Sequence, residues 1–239
     1  LYINQTHPYY RAPHIYIALA ARFMPGRKVL SDEEGERYGV GSHRGVGYWQ
    51  DCSEAVLLTS RGENRYDRTF MEGFVRPGPD RRNWVSRSNY PALGVVPTHA
   101  ADVMPTADGR GEMSLYLMRH NQQPTGHLER LALRVDGFAS LNAPYTGGEM
   151  RSVPLCFKGH ELELNYATGA AGHVRVELQD ALGVPISGYS REDADLLIGD
   201  EIERVVTWKG ERNVSGLAGE TIRLRLELKD ADVYSFRFR

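Results

Sequence analysis

A run of aromatic, histidine and arginine residues that passes directly into an apolar segment is the sequence feature that most constrains the fold. It occurs at Leu1–Ile17, and the same order of polar and aromatic residues before an apolar segment recurs at Tyr48–Arg61 and Asn83–Val96. In each case polar residues come first, and a segment rich in strand-forming residues follows. Such repetition indicates a β-architecture in which polar strand starts are gathered together.

The first half of the chain contains several further strand patterns. The apolar run Glu54–Ser60 predicts a strand buried on both faces, and Tyr66–Phe70 is expected to pair back on it as a hairpin. Strands are also predicted over Tyr90–Val96, Glu112–Arg119 and His127–Val135. The resulting units of about 40 to 45 residues are typical of propeller blades.

Two stretches in this half have the composition of long polar loops. They are 27–47, where glycine, aspartate and arginine are frequent, and the polar stretch 99–110. Loops of this length often border functional sites.

The pattern changes from about Asp136 onward. In Ile222–Leu228 apolar residues alternate with charged ones, which is typical of a strand with one buried face. Short strands are predicted at Met150–Leu155, Glu161–Tyr166, Val174–Asp180, Glu203–Trp208, Thr221–Leu228 and Val233–Phe238. We therefore predict an all-β fold: a partial β-propeller of about three blades over residues 1–135, followed by a β-sandwich over residues 136–239.

Composition excludes several classes of function. The formal net charge is −2, so nothing indicates a nucleic-acid partner. No apolar run approaches the ~18 residues of a membrane-spanning helix. The two cysteines, Cys52 and Cys156, lie far apart in sequence, and we expect two unpaired, mostly buried thiols. Metal-ligand spacing is missing among the histidines, so neither a metal nor another cofactor is predicted.

The predicted propeller geometry brings the starts of the inner strands to one pocket. Asp51 and Glu54 are the acidic pair at such a start and are the candidate catalytic residues, because glycoside cleavage uses two carboxyl groups. The candidate substrate-binding residues come from the first and third units: Arg11, His14, Arg87, Asn89 and Tyr90.

Several of these residues also have a structural interpretation. Asp51 could cap a turn, and Glu54 could pair with an arginine such as Arg11 or Arg87. The arginines could form ion pairs between blades, and His14 could be a core histidine with satisfied hydrogen bonds.

Several segments together resemble bacterial proteins related to glycoside hydrolase family 32. They include RAPHIYI, SEAVLLTSRGENRYDRTFMEGFVRPG, RSNYPALGVVPT, LRVDGFASLNAPYTGGEM, LELNYATGAAGHVRVELQDALGVPI, GDEIERVVTWKG and LKDADVYSFRF. The resemblance covers nearly the whole chain and implies a five-bladed propeller followed by a sandwich. It also implies that this chain begins after the first blades. We therefore expect an open blade edge that homo-oligomer formation could cover.

The catalytic motifs of that family are altered here. The Asn-Asp-Pro motif that carries the nucleophile has no counterpart, and Arg11-Ala12-Pro13 lacks the carboxylate of the family's Arg-Asp-Pro. The segment Asp51–Glu54 has residue types similar to the Glu-Cys motif in another order, so only Glu54 or Asp51 can be carried over as the general acid. We therefore predict a glycoside hydrolase acting on a carbohydrate substrate, with a non-catalytic carbohydrate-binding or scaffold fragment as the alternative.

Overall fold

The computed structural model describes residues 1–98 and 111–239. In these ranges the chain is mostly β and forms several small antiparallel sheets, which confirms the all-β class. The strands are β1 His7–Tyr9, β2 Ala12–Met24, β3 Ser42–His43, β4 Val46–Gly47, β5 Cys52–Ser60, β6 Val96–Thr98, β7 Glu112–Arg119, β8 His127–Arg134, β9 Leu141–Ala143, β10 Gly148–Arg151, β11 Leu162–Asp180, β12 Asp200–Val205 and β13 Ile222–Phe238. One α-helix, α1, spans Asp32–Arg37, and short 3₁₀ helices span Tyr48–Gln50, Arg81–Asn83 and Ser215–Leu217.

The chain divides into two compact units. The first contains Leu1–Pro97 and Ser114–Ala132, and the second contains Thr98–Met113 and Leu133–Arg239.

A three-stranded antiparallel sheet in the order β1-β2-β5 organises the first unit. Strand β2 pairs with β5 in a register that places Leu19 opposite Leu57 and Arg22 opposite Glu54. The middle of β2 is buried, as are Val56 and Leu58 of β5, so the sheet forms its own apolar core. The segment Tyr66–Phe70 pairs back on β5 antiparallel, as predicted, but through Asp67 alone, opposite Thr59, so an isolated bridge replaces the expected hairpin strand.

The long loop predicted over 27–47 is also wrong. It contains α1, whose start is a capping box: the Ser31 hydroxyl accepts from the Glu34 amide, and the Glu34 carboxylate accepts from the Ser31 amide. It also contains the hairpin β3–β4, whose turn residues Arg44 and Gly45 both have positive φ, at 52° and 80°. Two left-handed residues in succession match the twist of a tight hairpin.

The sheet β6-β7-β8 contains the strand predicted at Glu112–Arg119, with Met113, Leu115 and Leu117 all buried. The strand predicted over Tyr90–Val96 forms only as a bridge between Pro91 and Leu117, and regular pairing starts at Val96. The predicted loop 99–110 lies outside the described residues.

The second unit is built on a five-stranded sheet in the order β10-β13-β11-β12, with β9 also paired to β13. Strands β11 and β13 are long, and each replaces two of the short strands predicted from sequence. Their register shifts between Thr168 and His173, so the two predicted strands of β11 are halves of one interrupted strand. Both halves contribute to one core, in which Trp208 and Tyr166 are the largest fully buried side chains.

Candidate functional site

Glu54 lies on β5 directly opposite Arg22 of β2. The Arg22 guanidinium donates to Glu54 Oε1 through Nε, at 2.8 Å, and also through Nη2. A methyl group at Gly73 would overlap the Glu54 carboxylate, so the backbone there packs against it. Glu54 is therefore held in an ion pair, and its partner is Arg22 rather than Arg11 or Arg87.

The same carboxylate borders an open cleft of about 980 Å³. The cleft is lined by four cationic side chains and one tryptophan in addition to Glu54, namely Arg22, Arg27, Lys28, Arg76 and Trp84. Glu54 is the single carboxylate among the described lining residues.

Asp51 follows the 3₁₀ helix Tyr48–Gln50 and enters a different cavity. Its Oδ1 accepts from the Gly26 amide at 2.8 Å and so holds the turn that follows β2. Asp51 also lines a cavity of about 380 Å³ together with Arg87 and Tyr90. Three of the predicted site residues thus come together, whereas Asp51 and Glu54 line separate cavities.

Aromatic side chains form much of the wall of the Asp51 cavity. The Arg87 guanidinium carbon lies 5.3 Å from the centroid of the Tyr48 ring, a cation–π arrangement. The Tyr2 and Tyr90 rings are tilted at 40° with centroids 5.8 Å apart, and His43 stacks on Tyr48 at 6.4 Å.

Sequence reasoning missed Tyr2, His43 and Tyr48 as lining residues of this cavity. Tyr48 could have been included, since it precedes Asp51 in the aromatic run that introduces β5. His43 could not, because it reaches the cavity on the β3–β4 hairpin, within the stretch interpreted as a loop.

Arg87 and Asn89 adopt left-handed backbone conformations, with φ of 63° and 64°. Such values cost energy in residues other than glycine and occur mainly where the surroundings impose them. Here Ser53 provides the constraint, because its hydroxyl accepts from the Arg87 amide at 2.9 Å and its carbonyl accepts from Asn89 Nδ2 at 2.7 Å. Arg87 is therefore presented to the cavity by a constrained segment.

Asn89 is fully buried, and its side chain forms hydrogen bonds to several segments behind the cavity. Its amide nitrogen also donates to the Asn83 carbonyl at 3.1 Å, and its oxygen accepts from Arg119. It lines neither cavity. The structure thus gives Asn89, predicted to bind substrate, a place behind the cavity wall.

Burial changes the acidity of two groups near these cavities. It raises the pKa of the Tyr90 hydroxyl and raises the pKa of the Cys52 thiol to about 11. Both cysteines are unpaired, as predicted, but only Cys52 is buried, whereas Cys156 is exposed.

Arg11 and His14 lie apart from both cavities. Arg11 is half-buried in the turn between β1 and β2, and His14 is exposed on β2. The interpretation of His14 as a core histidine is therefore wrong. His14 precedes the part of β2 that is covered: pairing with β5 begins at Tyr16, and the buried run begins at Ile17.

In the described part of the chain no group of three or more His, Cys, Asp or Glu side chains could hold a metal ion. No helix among those residues is long and apolar enough to cross a membrane. Comparison of the chain with protein-family models, curated proteins and solved structures gives no match. The function is therefore inferred from the two cavities.

Proposed function

We propose that this protein binds a carbohydrate in the Asp51 cavity without cleaving it. The observation that carries the proposal is the gathering of Tyr48 and Tyr90 with Asp51 and Arg87 around one concave site. Aromatic faces pack against the C–H face of a sugar ring, while a carboxylate and a guanidinium hydrogen-bond neighbouring hydroxyl groups. Ligand sites of this kind combine aromatic walls with a few oriented polar groups.

Binding without cleavage is favoured over hydrolysis by the separation of the two acids. A glycoside hydrolase needs two carboxyl groups on either side of one glycosidic bond, about 5 to 10 Å apart. Among the described residues each cavity is lined by one carboxylate, and Glu54 is neutralised by Arg22. These features support a binding site with Asp51 as a hydrogen-bond acceptor.

The architecture that would carry this site is a partial β-propeller over 1–135 and a β-sandwich over 136–239. The small antiparallel sheets β1-β2-β5 and β6-β7-β8 support the former, since propeller blades are sheets of adjacent antiparallel strands. The register shift in β11 supports the latter, because strands that pass from one layer of a sandwich to the other bend at such irregularities.

Calorimetric titration with a panel of neutral oligosaccharides tests the binding proposal. We expect at least one to bind, and Tyr48→Ala to weaken its affinity by about tenfold or more through loss of the stacking face. Tyr145→Ala is the matched control, because Tyr145 is an exposed tyrosine of the second unit. No binding across the panel, or an equal loss in both variants, would contradict the proposal.

A sugar-release assay with the same panel separates binding from hydrolysis. We expect no release by the unmodified protein. Release that Asp51→Asn or Glu54→Gln abolishes would replace the binding proposal with a glycoside hydrolase.

A further inference from the structure

The larger cleft beside Glu54 has an excess of positive charge. Of its four cationic side chains, Arg22 is neutralised by Glu54, and Lys28 pairs with Asp32 at 2.8 Å. Arg27 and Arg76 are exposed and form no ion pair with any of the described residues. Two guanidinium groups therefore remain available to an incoming ligand.

The two arginines reach the cleft from different parts of the chain: Arg27 precedes β5 in sequence, and Arg76 follows it. Arg27 follows the turn at Gly26, which has a φ of 70° and whose amide donates to Asp51. Arg76 follows Val75, which bridges to Ala55 of β5 with N–H···O distances of 3.2 Å in both directions. These anchors hold the chain at both positions, and both arginines line the cleft.

The cleft also offers an aromatic surface. The Trp84 indole lines it, and its Nε1 donates to the Gly78 carbonyl at 2.8 Å, which limits rotation of the ring. A volume of about 980 Å³ accommodates a ligand much larger than a simple inorganic anion.

We propose that this cleft binds an acidic sugar, one that bears a carboxylate or a sulfate group, with Arg27 and Arg76 as the anion ligands and Trp84 as the stacking face. Guanidinium groups suit both anions, since each presents oxygens that accept paired N–H donors. The anion-binding part stands independently of the Asp51 cavity. The assignment of the ligand as a sugar rests on the proposed carbohydrate-binding function.

Titration calorimetry with three probes tests this assignment. The probes are a disaccharide that contains a uronic acid, the same disaccharide carrying a sulfate in place of the carboxylate, and inorganic sulfate. The protein variants are Arg27→Gln/Arg76→Gln and, as a matched control, Arg65→Gln. Arg65 is an exposed arginine that lines neither cavity.

We expect at least one acidic disaccharide to bind more tightly than inorganic sulfate. The double variant should weaken that binding by about tenfold or more, and Arg65→Gln should leave it unchanged. The disaccharide that binds more tightly identifies the anion. Binding should also weaken as the salt concentration rises from about 0.05 to about 0.5 M, because exposed charges are screened.

Absence of binding by both acidic disaccharides, or binding of inorganic sulfate alone, would overturn the proposal. So would an equal loss in the double variant and in Arg65→Gln, which would indicate attraction by overall charge. Tyr48→Ala, which tests the Asp51 cavity, should not alter acidic-sugar binding. Failure of the neutral-sugar titration is therefore distinguishable from failure here.

Discussion

Arg22 and Glu54 face each other across the antiparallel pair β2–β5, and the guanidinium binds a single oxygen of the carboxylate through two nitrogens. This pairing gives Glu54 a partner within its own sheet. The residues on either side of Glu54, Ser53 and Ala55, are buried. A carboxylate is tolerated between them because Arg22 supplies its counter-charge.

Loss of this ion pair is expected to affect stability more than ligand binding. Both side chains are largely buried, with exposures of 25% and 19%. Glu54→Gln should therefore lower the free energy of unfolding by about 1 to 3 kcal/mol, since a guanidinium is left without its counter-charge. Chemical denaturation measures the change. Unaltered stability together with altered binding of an acidic disaccharide would show that Glu54 serves the ligand of the cleft instead.

Asn89 is expected to be essential for the wall of the Asp51 cavity. Asn89→Ala removes three buried hydrogen bonds and places a side chain other than asparagine or glycine at a φ of 64°. We expect a loss of about 2 to 4 kcal/mol in the free energy of unfolding.

Asn89→Gly separates the two causes of that loss. It removes the same hydrogen bonds but adopts positive φ without strain, so it should be about 1 kcal/mol more stable than Asn89→Ala. Equal stability of the two variants would mean that backbone strain contributes nothing at this position.

The two thiols are expected to react very differently. Burial raises the pKa of the Cys52 thiol to about 11, so the thiol stays protonated near neutral pH. Burial also limits the access of a reagent to the sulfur. Cys156 is exposed. A thiol reagent should therefore modify one cysteine in the folded protein and two in denaturant, and Cys156→Ser should abolish the reaction of the folded protein. Reaction of both thiols under native conditions would contradict the burial of Cys52.

The start of α1 is expected to lose stability in acid. The Arg81 side-chain hydrogen bond, together with the Ser31 amide, lowers the pKa of Glu34 from 4.5 to about 2. Because the folded-state pKa is depressed, the stabilisation is present above pH 4.5 and is lost as the pH falls through about 2.

Thermal unfolding at a series of pH values tests this expectation. Arg81→Gln should be less stable than the unmodified protein above pH 4.5, and the difference should shrink toward pH 2. Arg65→Gln is the control and should show no such change. A difference between Arg81→Gln and the unmodified protein that stays constant across this range would contradict the assignment to Glu34.

The elements predicted well from sequence are those whose pattern is local. The apolar run of β5 and the alternation in β7 identify strands because the burial of one or both faces can be recognised from consecutive residues. Helix α1 was equally readable, since Ser31 and Glu34 have the spacing of a capping box, but the neighbouring glycines and arginines obscured it.

The breaks predicted inside β11 and β13 were wrong for a different reason. Glycine and alanine at 169–172 of β11, and the polar run at 229–232 of β13, are typical of turns, yet here they occupy an irregularity within continuous strands. Pairing between β11 and β13 resumes on both sides of that region, and it depends on residues more than 50 positions away.

By itself, the sequence determined an all-β chain, the location of its most regular strands and the presence of acidic and aromatic residues at the start of β5. Only the tertiary structure decided that Glu54 pairs with Arg22, that Asp51 joins Arg87 and Tyr90, and that the two acids enter different cavities. The physical reason is that strand pattern follows from nearest neighbours, whereas a cavity is formed by side chains that only strand register and hairpin geometry bring together.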